Sequence, residues 1–540
     1  MACVALALVP SCERAAPPAP PPQGEVVLAV DTDMPVPTFV NRLRIDAYDA
    51  NGVWYASRDL DRSRPADWPA SFAFDLDVDG GQVEKHVTLR LRAYASENVR
   101  DYRGERFAPF VVQCDSAACA QKTPPPPACC PLLSPGAPAP TTLPRLLDLQ
   151  GNDITPPTEP EPALAIDRLV VLDLVPDQAS LAQVLLQGAC AGTMADIAGV
   201  QSCTDTTGQV VDVSAAAPVQ AYASATELPA SVAGSFHGTP VPCTVTARPP
   251  GTAADGTPLH DEEVCVPGGM FVFGDANVFG QGLLDDGPPR IAILPPLLMD
   301  RYEVTVARWR AALASGFMNP NGALSPKANE GALPTSGVDE ASDSLCTWTV
   351  TRSDREEHGV NCVAWKDAHA FCQSLGGNLP TEPEFEYAAT LTGREFKTRY
   401  PWGGDDAVQP PCSRAVFGRG TQAGFDDACN LAHTSTGPLP VTASEHDAGD
   451  VTPQLGLVGL GGNYAEWLVD AFAPLTANCW ASAPLLSPTC TATTPPTRAL
   501  RGGSWRLGAV DVIPSVRSFG PGSAVSQDVG FRCARPGSAP

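Results

Sequence analysis

The sequence predicts a multidomain protein, with β-sandwich-like modules in its N-terminal half and a C-terminal α+β domain of little regular secondary structure. Three observations carry this reading. Apolar and polar residues alternate over residues 25–113 and recur in short β-type runs over 164–245. Prolines, 57 of the 540 residues, gather in runs that separate the patterned stretches. From residue 264 onward, short helical patterns alternate with glycine-flanked aromatic segments. A chain of this length is expected to hold roughly two to four domains.

Residues 1–24 read as a leader and a proline-rich tether. The apolar run Ala2–Val9 ends at Ser11-Cys12, and the prolines after it resemble the tether of a lipoprotein cysteine, although a basic n-region is missing. No apolar run reaches the length of about 18 residues that a membrane-spanning helix needs, so membrane attachment is expected only through such a lipid anchor. Over residues 25–113, Leu43, Ile45 and Ala47 alternate, as do Phe72, Phe74, Leu76 and Val78, and then Val87, Leu89, Leu91 and Ala93. Asn51-Gly52 and Asp79-Gly80 lie between these runs as hairpin turns. One apolar face per strand predicts a small β-sandwich. Residues 114–163 read as a proline-rich linker, with Cys114, Cys119, Cys129 and Cys130 at its base. Residues 164–245 form a second β-rich module from Leu169–Leu174 and Val184–Leu186, with Cys190 and Cys203 near enough to close a small loop. Residues 246–263 are a polar hinge.

The pattern changes in residues 264–536. Pro267-Gly268-Gly269 is a turn before a strand over Met270–Phe273. Thr305 caps a helix to about Ser315, with Val306, Trp309 and Leu313 inward. Residues 317–360 read as a polar surface excursion. Two helices follow, joined by a tight turn. Trp365, Ala368, Cys372 and Leu375 recur at helical spacing, Gly376-Gly377 stops the first helix, and Thr381 with Glu384 forms a capping box for the second. His369 falls on the exposed side of the first helix. Tyr400–Gly403, Asn463–Trp467 and Arg501–Trp505 are short aromatic segments that build a core of loops.

Composition narrows the function classes. With 35 basic against 60 acidic residues, the net charge of −25 argues against nucleic acid and anionic membranes as partners. Eighteen cysteines without CxxC pairs point to an oxidising compartment, hence to an exported protein, secreted or held at a bacterial-type cell envelope. Spacing alone suggests the pairs Cys346–Cys362, Cys412–Cys429 and Cys479–Cys490.

The block CVAWKDAHAFC with GGNLPTEPEFEYAA resembles that of the formylglycine-generating enzymes, also called sulfatase-modifying factors. Further matches follow in the family's order: CVPGGMFVFG at 265–274, DRYEVTVARW at 300–309, YPWG at 400–403, GLVGLGGNYAEW at 456–467, ALRGGSW at 499–505 and GFRCAR at 530–535. The resemblance implies a mixed fold distantly related to C-type lectins and a disulfide between Cys372 and Cys533; the family's other disulfide has lost both cysteines, Ala389 standing at one position. It also implies oxidation of a substrate cysteine to formylglycine, by copper(I) held on two cysteines soon after the RGGS motif. Here no cysteine lies between Cys490 and Cys533. Leu507 stands where the first would fall and Val512 near the second, and Ala465 replaces a family tryptophan. Ser504 is the one retained active-site position, and a serine without a base is no nucleophile. Copper is therefore not expected. Calcium is, by resemblance: one site from the carbonyls of Gly462 and Tyr464 and the carboxylate of Glu466, lacking the ligand that Gly459 replaces, and another from Asn430 and the carbonyl of Leu431. The expectation is an exported pseudoenzyme, a surface binding or scaffolding module for a protein or carbohydrate ligand. The alternatives are an enzyme of this family with altered oxidoreductase chemistry and a lectin-like ligand receptor.

Overall fold

In a computed structural model of the protein, the described residues are 25–538 apart from 76–84, 103–143, 149, 176–177, 223–227, 275–288, 323, 325–332, 335–342, 393, 395–396, 404–409, 421–428, 430–435, 444–448 and 492–496. The leader, the Asp79-Gly80 turn and Cys114, Cys119, Cys129 and Cys130 lie outside them. The fold is mostly β, in more than one domain.

Twelve strands make the N-terminal half: β1 (Glu25–Thr32), β2 (Arg42–Tyr48), β3 (Trp54–Asp61), β4 (Ala70–Asp75), β5 (Lys85–Tyr94), β6 (Val99–Asp101), β7 (Thr158–Pro160), β8 (Ile166–Leu174), β9 (Ala179–Leu186), β10 (Gln201–Cys203), β11 (Val210–Asp212) and β12 (Val219–Ala221). One sheet runs β12-β9-β1-β4 and the other β3-β2-β5-β8. The pairing corrects the expectation of two modules. β1 pairs in parallel with β9, from Glu25↔Ala179 to Thr32↔Leu186, and β5 pairs antiparallel with β8. Residues 25–113 and 164–245 thus supply strands to both sheets of one sandwich. Alternation shows which residues face a core but not which strand covers them, and each segment alone would leave its sheets with open edges. The linker expectation is corrected too: β7 pairs with β6, and Leu146 is buried beside Tyr48 and Trp54.

The core holds the predicted faces of β2 and β5, with Phe72 and Phe74 of β4 only partly buried against it and Leu76 and Val78 outside the described residues. Leu43, Leu89, Leu91 and Ala93 are completely buried, with Ile45, Ala47 and Val87 beside them. Burying an aliphatic side chain of this size contributes about 1.5–3 kcal/mol. A disulfide joins Cys190 and Cys203.

The C-terminal half holds β13 (Glu263–Val266), β14 (Gly269–Phe273), β15 (Arg290–Leu294), β16 (Leu297–Asp300), α1 (Val306–Ala314), α2 (Trp365–Ser374), α3 (Glu382–Thr390), β17 (Ala465–Ala471), β18 (Thr497–Arg501), β19 (Arg517–Pro521), β20 (Val529–Gly530) and β21 (Ala534–Pro536). They form a β13-β16-β21 sheet, a β14-β15 hairpin and a β19-β18-β17-β20 sheet. Met270, Ile291 and Ile293 of the hairpin belong to the sandwich's apolar cluster, so the two halves share a core. The hinge expectation for 246–263 is corrected. Cys243 is bonded to Cys265, Val241 bridges Gly268, and Arg248 reaches Glu263 and Asp300 at 2.8 and 3.1 Å.

The helices follow their signals. The Thr305 side chain accepts from the Arg308 amide, and Thr381 and Glu384 form the reciprocal capping box. Gly376 takes φ +77° at the end of α2, and a Cβ on Gly377 would stand 2.5 Å from the Ala534 carbonyl oxygen. The buried face of α2 centres on Ala368, Phe371 and Cys372; Phe371 stacks on Trp309 at 5.1 Å, while Leu375 is exposed. His369 is half-buried rather than on an open face, stacked on Trp365 at 4.6 Å with the Arg498 guanidinium over the same indole. The excursion 317–360 is surface only in part: Leu345, Thr347, Arg355 and Val360 are completely buried, and Thr347 binds the Asn361 side chain. Satisfied hydrogen bonds let this polar segment enter the core. Disulfides join Cys346 to Cys362, Cys372 to Cys533, Cys412 to Cys429 and Cys479 to Cys490.

Candidate functional site

β18 ends at Arg501, and the chain turns through Gly502, Gly503 and Ser504 into Trp505. Arg501 is fully buried. Its Nε donates to Glu382 Oε2 at 2.9 Å, and its Nη1 donates to Glu386 Oε2 at 2.9 Å and to the carbonyls of Pro514 and Ser515. Arg517 grips the same Glu382 at 2.7 Å. Burial works to raise the Glu382 carboxyl, but Arg517 and Arg501 outweigh it and hold it below the ordinary value. The arginine of the motif thus pins the start of α3 to the loop after the turn.

The two glycines answer a close approach. Gly502 has φ +76°, and a Cβ on Gly503 would stand 2.5 Å from the Gly461 carbonyl oxygen. The turn lies directly against residues 459–463, where the Trp505 amide donates to the Asn463 carbonyl at 2.9 Å.

Ser504 is buried and donates to Asp528 Oδ2 at 3.2 Å, and Ser526 donates to the other oxygen of that carboxylate. Among the described residues Asp528 is thus the one group placed to take the serine proton, and no histidine or lysine is hydrogen-bonded to either side chain to make a triad-like relay. Leu507 is half-buried. Val512 is completely buried in a cluster with Tyr400, Phe417 and Ile513. Ala465 packs beside Trp467, Val529 and Phe531. The twelve cysteines among the described residues all stand in disulfides. A cuprous ion needs thiolates, and the residues at this turn do not fit it.

Two of the expected calcium groups are also engaged elsewhere. Both oxygens of Glu466 are held by Arg532: Nε lies 2.9 and 2.8 Å from them and Nη2 lies 2.7 Å from Oε1. The Gly462 carbonyl accepts from the Tyr464 amide at 3.0 Å. Calcium wants several converging oxygens, and this set does not fit it as folded. Asn430 and Leu431 lie outside the described residues.

Two buried acids nearby escaped the sequence reading. A Cβ on Gly459 would stand 2.9 Å from Glu303 Oε1, so Glu303 fills the space of the lost side chain. Among the described residues Glu303 Oε2 and Asp450 Oδ1 have no hydrogen-bond partner. Burial pushes Glu303 up to about 8 and Asp450 up to about 7. The signal was present in DRYEVTVARW, where Glu303 is an acid two residues before the helix-capping Thr305, between the apolar Tyr302 and Val304.

Residues 251–536 match the family model described as a sulfatase-modifying factor enzyme 1-like domain. The chain belongs to this family. This sulfatase-modifying factor homologue is 30% identical over 323 residues to the formylglycine-generating enzyme of Streptomyces coelicolor, covering 54% of this chain and 95% of that protein. It is 30% identical over 188 residues to the mouse protein named inactive C-alpha-formylglycine-generating enzyme 2, covering 33% of this chain and 49% of that one. Among solved structures, PvdO from Pseudomonas aeruginosa aligns with a TM-score of 0.36 at 17% identity, over 54% of this chain and all of that one.

Proposed function

We propose that this sulfatase-modifying factor homologue is an exported protein that makes no formylglycine by the copper–thiolate route and acts as a surface binding or scaffolding module. The observation that carries this is the turn after Arg501, where Leu507 and Val512 stand in place of thiols and Val512 is sealed into an apolar cluster. Six disulfides support an oxidising compartment. Among the described residues no helix is long and apolar enough to cross a membrane. Secretion or lipid attachment at Cys12, and a C-type-lectin-related character for residues 264–536, belong to the same proposal. The test is to incubate the purified protein with copper(I), oxygen and a Cys-x-Pro-x-Arg peptide. No mass loss beyond a copper-only control is expected; conversion of the cysteine to formylglycine overturns the reading.

A further inference from the structure

The outer face of a sandwich sheet is ordinarily solvated. The face of β3-β2-β5-β8 that points away from the apolar core is not. Its residues Arg44, Asp46, Arg90, Arg92 and Asp167 are all buried. The register places Arg44 opposite Arg92, Arg92 opposite Asp167, and Asp46 opposite Arg90. β6 and β7 cover this face in part: Arg44 Nη1 donates to the Thr158 carbonyl at 2.9 Å. Residues 195–202 cover another part, where the Ala195 amide donates to Asp167 and the Ser202 hydroxyl meets its backbone.

Beside this layer lies a cavity of about 620 Å³, within the range of small-molecule sites. Arg90 and Arg92 form part of its wall, and Tyr48, Trp54 and Tyr102 form another. The rings stack in series, Tyr48 on Trp54 at 6.4 Å and Trp54 against Tyr102 at 6.2 Å.

We propose that this cavity binds a sugar acid, a pyranose ring bearing a carboxylate. The carboxylate is called for by unmet donors. Arg90 is forked onto Asp167 and Arg92 is paired with Asp46, yet among the described residues Nε of Arg92, a wall residue, is buried without a hydrogen-bond partner, as is Nη2 of Arg44, which is not itself part of the wall. Burial and the neighbouring Arg90 charge lower the Arg92 guanidinium below its ordinary value, and an anion would relieve that. Trp54 and the two tyrosines suit the flat face of a sugar ring. In the remaining wall Arg145 is paired with Asp153 at 3.5 Å, while Asp49 and Asp196 each commit one oxygen to their own turn, leaving the other for a ligand hydroxyl. These acids would repel a dianion such as phosphate and favour a singly charged, hydroxyl-rich ligand.

This inference rests on the binding reading proposed above. The peptide assay and the following titration read opposite halves of the chain, so either can fail alone. The full chain is titrated calorimetrically with glucuronate, with glucose as the neutral reference and with a short oligogalacturonide to separate a free sugar acid from one in a polymer. Saturable binding of glucuronate or the oligogalacturonide is expected, with glucose about ten-fold weaker or worse. Arg92→Lys keeps the charge but removes the orphaned Nε, and is expected to weaken binding about ten-fold. Trp54→Ala is expected to weaken glucose and glucuronate alike. Where either variant fails to fold, the comparison of ligands on the unaltered protein still decides. Equal affinity for glucose and glucuronate, or no saturable binding of either acid up to about 10 mM, overturns the proposal.

Discussion

Glu466 and Arg532 face each other in the core as a closed pair, both carboxylate oxygens lying within 2.9 Å of guanidinium nitrogens. The guanidinium also donates to the backbone carbonyls of Val458, Asp300 and Arg301, joining the end of β16 to the loop before β17. Removing one member of a buried pair leaves an uncompensated charge, which costs about 3–5 kcal/mol. Glu466→Gln is expected to destabilise the protein by that order in chemical denaturation. A loss under about 1 kcal/mol would show that the pair is not sealed from water.

The same pair makes a prediction about calcium. Since Arg532 occupies the carboxylate, millimolar calcium should leave the melting temperature of the unaltered protein unchanged, because an ion stabilises only what it binds. A rise that Glu466→Gln abolishes would restore a calcium site here.

The pH dependence follows from Glu303, Asp450 and Asp470, which burial raises to about 8, about 7 and about 8. In the unfolded chain such carboxyls titrate near 4. Between these values the folded state holds protons that the unfolded state has released, so stability falls as pH rises. Their contribution is complete below about pH 4 and is lost as pH passes through the folded values. The melting temperature is expected to drop between pH 5 and pH 9, in the range set by those values, and Glu303→Gln should partly flatten the upper part of that drop. A melting temperature that climbs steadily over the interval would contradict the assignment.

Gly503→Ala tests the contact between the RGGS turn and residues 459–463. The added carbon would stand 2.5 Å from the Gly461 carbonyl oxygen, against backbone that cannot rotate away. Overpacking of this kind costs about 1–3 kcal/mol. Wild-type stability in the variant would mean that the two loops separate freely.

Cys372 and Cys533 close a loop of 161 residues. Replacing both by alanine is expected to cost about 4–5 kcal/mol in the chain-entropy account, read as an earlier midpoint in urea relative to the oxidised protein. An unchanged midpoint would place the stabilisation elsewhere.

The parts of the fold that were legible in the sequence are those set by neighbours along the chain. Thr381 and Glu384 announce their helix because a capping box is a relation over three residues. Leu43, Ile45 and Ala47 announce an inward face because a strand has a period of two. What was not legible depends on distant partners. Nothing in β1 says that its neighbour is β9, and nothing in Arg44 or Arg92 says that the outward face of their sheet is roofed. The absence of thiols after Arg501 could be read from the string alone. That Glu466 belongs to Arg532 could not, because it depends on a guanidinium that lies 66 residues further along the chain.

The bond between Cys243 and Cys265 decides where this protein can be cut. Composition changes near residue 264 and the family match begins at 251, so either looks like a natural place to start a shorter fragment. Both starts discard Cys243, and Cys265 would then carry a free, half-buried thiol on a sheet strand. Such a fragment would join to its own copies through sulfur under air and would mimic an oligomer. Both starts also remove the Thr244 and Val245 amides that donate to the Gly537 carbonyl, so the residue that follows β21 would lose both of these bonds while β21 stayed paired with β16. A fragment beginning before Val241 keeps the bridge to Gly268, the disulfide and those bonds together, and leaves entry and exit of the chain side by side at one seam.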